Sequence, residues 1–427
     1  MTNDDASTDG IDERTRRQIL AAGLAGTAGF VAGCQGGGDS TPTDGDGGDG
    51  DGGDGSDGSD GGDGSDGSDG GDGGDGTDTG DGGMGSVTGN PPWYGSGPGA
   101  FEARPVPGGT SMSEMPDLSG ELRIYSGRGE GLVGDLISYL DERYPDFTPR
   151  VTYDTASALA SRIDTEGSNT PADVFYSVNA GALAFLAEND RTQTLTSDTT
   201  DLVAEEFRAD DGAWTGTSGR ARTVPYNTNT LSESDVPDSI MEFPNLTEYE
   251  GEIGWAPTYS SFQGFITAMV ELEGEEATRE WLRGMQELNV QTYSDEFAIS
   301  QAVADGDLAF GFANHYYIQR VLAGRPEAPL DTAFTNGDAG AVFNVAGAAR
   351  MSASGRSEQA DVFVRHLLSS EAQEYFAIRT FEYPLVSGVE PVGRLPTIDE
   401  LNVPDIDLSA LSELDQTVQL LRDENVL

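Results

Sequence analysis

The sequence predicts an α/β fold with parallel strands covered by helices. Three observations predict it. Short apolar strand patterns alternate with helical patterns from residue 122 onward. A second alternation begins at residue 252. About 310 residues of ordinary composition remain behind a low-complexity front, enough to bury a sizeable core. Leu122-Arg123-Ile124-Tyr125 reads as the opening strand, and Leu132, Leu136, Ile137 and Leu140 follow at helical spacing. Val151-Thr152-Tyr153 is the next strand and residues 158–166 the next helix. Ala172-Asp173-Val174-Phe175-Tyr176 is a third strand, followed by a helix over residues 180–188. Glu252-Ile253-Gly254-Trp255 opens the second set. Helices near residues 262–272, 277–288 and 298–304 continue it, and a strand at 308–312 closes it. Such alternation implies a sheet buried on both faces. Ligands of open α/β sheets sit beyond the carboxyl ends of strands, so the residues just after each strand are the candidates.

The formal charge is −52, and all 23 basic residues are Arg. Fifteen of the acids are Asp between Asp39 and Asp81, so the globular part is strongly acidic on its own account. Such a surface repels polyanions, which excludes nucleic acid as a partner. An acidic, Lys-free surface resembles that of proteins from salt-loving archaea, where molar salt shrinks the Debye length to about 3 Å and makes the self-repulsion tolerable. Cys34 is the only cysteine, which excludes an intrachain disulfide and a cysteine-based zinc site. Two histidines exclude a His-rich metal site.

Arg16-Arg17 directly precedes an apolar run over residues 20–31. A dozen residues is short of the roughly 20 that span a bilayer, so the run reads as the core of a signal peptide. The Arg pair resembles a twin-arginine signal, and Phe30-Val31-Ala32-Gly33-Cys34 resembles a lipobox. Residues 1–34 are therefore expected to be a signal peptide ending in a lipidation site at Cys34. That places the mature chain outside the cytoplasm, held to the membrane by lipid. Residues 35–117 are expected to be a disordered linker, because Asp-Gly-Gly and Asp-Gly-Ser repeats carry too few apolar residues to offset ordering entropy. A Gly-rich chain of about 80 residues reaches roughly 50 Å. A calcium repeat is excluded, since no unit carries the apolar residue that such repeats need.

The order Ile-Tyr-Ser-Gly-Arg, Pro-Ala-Asp-Val-Phe-Tyr-Ser, Gly-Arg-Ala-Arg, Val-Pro-Tyr-Asn-Thr, Gln-Ala-Val-Ala-Asp-Gly, Asn-His-Tyr-Tyr and Glu-Tyr-Pro resembles the ferric-iron-binding proteins of ABC importers, from about residue 122 to the C-terminus. The resemblance implies a two-lobed periplasmic-binding-protein type II fold. Lobe 1 is expected at 118–225 plus about 342–395, and lobe 2 at 226–341 plus about 396–427. Crossovers are expected near 222–226 and 341–348, with a cleft that closes by hinge motion. It also implies Fe(III) as ligand, an accompanying anion such as carbonate, ABC permease and ATPase subunits as partners, and a monomer.

In that family a tyrosine pair at this motif ligates iron, which makes Tyr316 and Tyr317 the first candidates. Phenolate oxygen is a hard donor matched to a hard trivalent cation. Tyr226 matches a third tyrosine used by part of the family, or packs the hinge. Arg128 matches an anion-holding position, its planar fork suited to carbonate or carboxylate, or pairs with a surface acid. Glu130 could supply a carboxylate, or is an acid favoured at a helix N-terminus. Ser260 and Ser261 open a helix after a strand, where hydroxyls and free N–H groups form an anion pocket or simply cap the helix. His315 is expected to point away from the pair. The family's usual His after the Arg is Gly129 here, and Val178 stands where a ligand Glu often lies. Glu296 replaces a frequent anion-binding Asn and argues against phosphate. Another small solute (a polyamine, thiamine or an organophosphate) keeps the fold and changes the ligand. An enzyme lacks a Ser/His/Asp order, a phosphate loop and a catalytic carboxylate pair, and a surface adhesin fits the tether but not the cleft motifs.

Overall fold

The structure is a computed structural model that describes residues 91–93, 104–408, 411 and 414–427. Cys34, the expected signal peptide and most of the expected linker lie outside the described residues.

Eleven strands and eleven α-helices are described. The first half of the fold opens with β1 (Gly120–Ser126), α1 (Glu130–Arg143), β2 (Phe147–Tyr153) and α2 (Ala156–Glu166). It continues with β3 (Val174–Ser177), α3 (Ala180–Glu188), β4 (Thr192–Gln193) and α4 (Ser197–Thr200). A long strand, β5 (Thr215–Asn227), leads into the second half. There lie β6 (Ile253–Trp255), α5 (Ser260–Glu273), α6 (Glu275–Glu287), β7 (Gln291–Thr292) and α7 (Glu296–Asp305). They are followed by β8 (Phe310–Gly311), β9 (Ala313–Asn314), α8 (His315–Gly324) and β10 (Leu330–Ala333). The chain returns along β11 (Phe343–Met351) to α9 (Ser357–His366) and α10 (Ser370–Tyr375), and α11 (Asp415–Asp423) comes last.

The local chemistry explains these elements. Leu122 and Ile124 alternate with the exposed Arg123 along β1, so one face packs inward. Val133, Leu136, Ile137 and Leu140 form the buried stripe of α1. Thr155, Asn179 and Asp295 cap α2, α3 and α7, each accepting a backbone N–H inside the first turn. Gly306 ends α7 at φ 84°, in the left-handed region where glycine has no Cβ penalty.

The sheet runs β2-β1-β3-β11-β5-β8-β6-β7, with β4 on β11 and with β9 and β10 on β5. It is mixed rather than purely parallel. β1 pairs β2 and β3 in parallel, whereas β11 is antiparallel to both β3 and β5. The reason is connectivity: β5 leaves the first half and β11 re-enters it, so they run opposite ways. The residues of β5 up to Ala221 pair with β11, while Arg222 and Thr223 pair with β9 and Tyr226 with β8. The change of partner falls between Ala221 and Arg222, ahead of the lobe boundary expected at 225. The Arg222 N–H bonds Val342 C=O at 2.8 Å, so both crossings meet there.

Each half has its own apolar core. Leu122, Ile124, Leu136, Phe363 and Phe376 anchor the first. Trp255, Phe262, Phe265, Trp281, Phe310 and Phe312 anchor the second. The expected linker ends earlier than residue 117. Trp93 is buried between Tyr139 and Tyr375, its indole N–H donating to Glu371 C=O at 2.9 Å. Arg104 grips the Glu374 carboxylate at 2.9 and 3.0 Å, and Met112 and Met115 are buried. These few apolar and charged residues fasten Trp93 and residues 104–115 to the first half.

His366 is fully buried between Val362 C=O and the Tyr144 hydroxyl, both at 2.8 Å. Nδ1 faces the carbonyl and so carries the ring proton, leaving Nε2 to accept from tyrosine. Burial pushes its pKa down to about 4 from an ordinary 6.5. Between those values the unfolded chain binds the proton and the folded chain does not, so stability falls as pH drops from 6.5 towards 4. The full effect is on the order of 3 kcal/mol. Urea unfolding at pH 7 and pH 5 should show a smaller loss in His366→Gln than in the parent.

Candidate metal centre

A cleft of about 650 Å³ opens between the halves. Its first-half wall comes from α2 and α3 and includes Phe185, which is 40% exposed. Tyr259, Ser260, Ser261, Asn314 and Tyr316 line the opposite wall, and Arg220 and Arg222 line the base. The register of β5 explains the base, because these two arginines flank the point where the strand changes partners.

Tyr316 and Tyr317 occupy the first turn of α8, which starts directly after the short strand β9. Their ring centroids are 4.3 Å apart. The Tyr317 hydroxyl is hydrogen-bonded to that of Tyr259, whose ring lies 6.2 Å away. Asn314 Nδ2 donates to the Tyr316 hydroxyl at 3.3 Å and to Ser261 Oγ at 2.8 Å. Three phenols therefore converge where β6 and β9 give way to helices. Burial pushes the Tyr317 hydroxyl far up, and the neighbouring Tyr316 and Tyr259 add to it. Burial also raises Tyr316, against a downward pull from the Arg220 charge.

Beneath the phenols, Arg222 pairs with the fully buried carboxylate of Glu296, which also accepts the Asn314 N–H at 2.8 Å. Arg222 lies over the ring of Phe265 at 4.7 Å, and its Nε and Nη2 have no hydrogen-bond partner. Neither Ser260 nor Ser261 caps α5: the N-cap is Tyr259, without a side-chain bond. The first N–H groups of that helix thus remain available beside the two arginines. Among the described residues no group of three or more His, Cys, Asp or Glu could hold a metal.

The structure brings Tyr316, Tyr317, Ser260 and Ser261 together, Tyr317 from just behind the lining through its hydroxyl contact with Tyr259, and separates the others. Tyr226 packs in the second-half core, its hydroxyl pushed up by burial and then by Asp331 and Glu233, and it does not line the cleft. Strand alternation places it there, on the far stretch of β5 opposite Phe310. Glu130 is exposed at the start of α1 and also stays out of the lining, as a helix-terminal acid. Arg128 is not a free anion fork. It is fully buried, paired with Glu382 and bonded to Ser218 Oγ at 2.6 Å, between the rings of Tyr176 and Phe376. Against its burial, Glu382 holds the guanidinium charged, and against its own burial Glu382 is held low by Arg128 and then Arg220. Cys34 lies outside the described residues.

Sequence reasoning missed Tyr259, Arg220 and Arg222. Tyr259 stands just past the end of β6, the place that ligands of such sheets favour, so the strand-end rule could have found it. The Gly-Arg-Ala-Arg motif carried the arginines without a role.

Residues 169–407 match the family described as bacterial extracellular solute-binding protein. The major ferric iron-binding protein of Neisseria meningitidis is 32% identical over 268 residues, which are 62% of this chain and 80% of that protein. The iron-bound structure of HitA from Pseudomonas aeruginosa superposes with a TM-score of 0.63 at 27% identity, covering 71% of this chain and 99% of that one. The Trichodesmium FutA structure with iron and citrate ligands gives 0.61 at 26% identity, with 71% and 99% covered. A matched stretch that spans more than half of the chain, joined to this two-halved fold, shows that the chain belongs to the bacterial extracellular solute-binding protein family.

Proposed function

We propose that the chain captures ferric iron in the cleft and delivers it to an ABC permease with its ATPase subunits. The observation that carries this reading is the convergence of Tyr259, Tyr316 and Tyr317. Three phenolates balance the charge of Fe(III) and match its hardness. They leave coordination positions open and the Arg220 charge nearby, while the charge of Arg222 is met by Glu296. An anion such as carbonate fits there, held by Arg220, the start of α5, and Ser260 and Ser261. The ferric iron-binding relatives and the iron-loaded neighbours support the same ligand. Members of this family bind a solute rather than transform it.

The protein mixed with ferric iron in high salt should develop a visible phenolate-to-iron charge-transfer band that saturates at one iron per chain. No band at saturating iron would turn the cleft over to another small solute.

Delivery is proposed to happen at the outer face of the membrane, with the chain monomeric and anchored through lipid on Cys34. The lobes, 118–225 with about 342–395 and 226–341 with about 396–427, would close about β5 and β11. No helix among the described residues is long and apolar enough to cross a membrane. Mass spectrometry of the membrane fraction should find Cys34 as a lipid-modified N-terminus, and an intact unmodified cysteine there would remove the anchor.

A further inference from the structure

His315 takes no part in the proposed iron site. It is fully buried, directly precedes Tyr316, and does not line the cleft. Its helix, α8, belongs to the second half, yet both ring nitrogens bond to backbone on the first-half side of the crossing. Nε2 faces only the carbonyl of Phe381, at 2.8 Å, and so carries the proton. Nδ1 then accepts the Ala221 N–H at 3.1 Å. Ala221 is the β5 residue opposite Phe343 of β11, the last before the change of partner. Phe381 packs in the first-half core and leads to Tyr383, which exchanges two 2.8 Å backbone bonds with Gly219.

The ring is fixed from every side. Tyr383 packs on it at 4.7 Å and Tyr316 at 5.7 Å. Phe381 has φ 59° and follows a π-helical turn at Phe376–Thr380, so the carbonyl that His315 meets is aimed by an unusual backbone. One imidazole thus spans two first-half segments at the hinge, and the next two residues of the same helical turn carry the phenol pair.

We propose that His315 is a positioning residue that ties the Tyr316–Tyr317 pair to the hinge, so that occupancy of the pair sets the angle between the two halves. A force on either phenol reaches the ring through one helical turn. The ring passes it to Ala221 and Phe381 by bonds that no water can replace in a fully buried site. The role rests on the iron reading for its ligand, but the joint itself exists without one.

Two substitutions divide the joint. His315→Asn keeps an acceptor near Nδ1 and loses the donor to Phe381. His315→Gln keeps a donor near Nε2 and loses the acceptor for Ala221. In the full chain, with Cys34→Ser, Glu142→Cys on α1 and Glu287→Cys on α6, spin labels report the separation of the halves. Without iron, both variants should broaden the distance distribution. With iron, the band should keep its position because the three phenols remain. Release to a competing chelator should be about tenfold faster, the factor carried by one buried hydrogen bond. In the unaltered chain, exchange of the Ala221 amide hydrogen should slow when iron is added, a reading that needs no variant to fold. Folded variants with the parent's distances and release rate would overturn the proposal, as would an Ala221 amide indifferent to bound iron. Absence of the band alone overturns the iron reading, and the distances measured without iron still decide the joint.

Discussion

Tyr317→Phe and Tyr259→Phe should each weaken ferric iron binding by about 100-fold or more and bleach most of the charge-transfer band. Tyr226→Phe should leave both unchanged. Loss of an outer-shell partner alone costs about 10–100-fold at metal sites, and loss of a donor atom costs at least as much. The contrast between the tyrosines is the sharper part of the test. Tyr226 occupies the position that the family comparison of motifs favoured, but its ring lies in the second-half core. Tyr259 was unmarked in the sequence, but its hydroxyl bonds that of Tyr317. If Tyr226→Phe abolished the band while Tyr259→Phe spared it, iron would not sit on the Tyr259–Tyr316–Tyr317 cluster. The pH dependence follows from the same geometry. Burial raises the Tyr317 hydroxyl, so the iron-free protein holds it protonated and iron must displace the proton. Affinity measured against a competing chelator should therefore rise with pH, about tenfold per unit for each phenol that loses its proton.

Much of the fold was legible in the sequence because its elements are local. Leu122 and Ile124 on β1, and Leu136 and Leu140 on α1, announce strand and helix by spacing alone. The closing strand expected at 308–312 proved to be two short pieces, β8 and β9, which share one antiparallel register on β5 and are interrupted only at Phe312. The direction of β11 was not legible, since it depends on which half the chain is leaving. The site followed the same division. Tyr316 and Tyr317 are neighbours in sequence and could be read as a pair. Tyr259 joins them only through the packing of the β6–α5 loop against α8. Arg128 misled because a motif shows which residue follows a strand but not which carboxylate meets it. Glu382 is 254 residues away. The Trp93 contacts were hidden by composition, since one tryptophan in a Gly-rich stretch hardly changes an average.

Arg128→Met should be the most destabilising of the substitutions considered, by about 3–5 kcal/mol, because it leaves a buried carboxylate without its cation. Glu382 is only 7% exposed, so solvent softens the loss little, and what remains to it are the hydroxyls of Ser218 at 3.1 Å and Thr380 at 2.8 Å and the more distant charge of Arg220. The hydroxyls hold the carboxylate in place, and Arg220, which forms no ion pair with it, balances its charge only in part. The double variant Arg128→Met, Glu382→Gln should recover most of the stability, since replacing both members of a buried pair is often close to neutral. Salt gives a second handle. Molar salt screens the exposed pairs on this acidic surface, but ions do not enter between Arg128 and Glu382, so the loss should persist from low to high salt. The opposing view, in which Arg128 holds the anion of the iron site, predicts a different pattern. Stability would change little, iron would bind weakly, and Glu382→Gln would not rescue it. Unfolding midpoints and iron stoichiometry measured on the same three proteins separate the two, because a structural pair moves the midpoint and leaves one iron bound, whereas an anion ligand does the reverse.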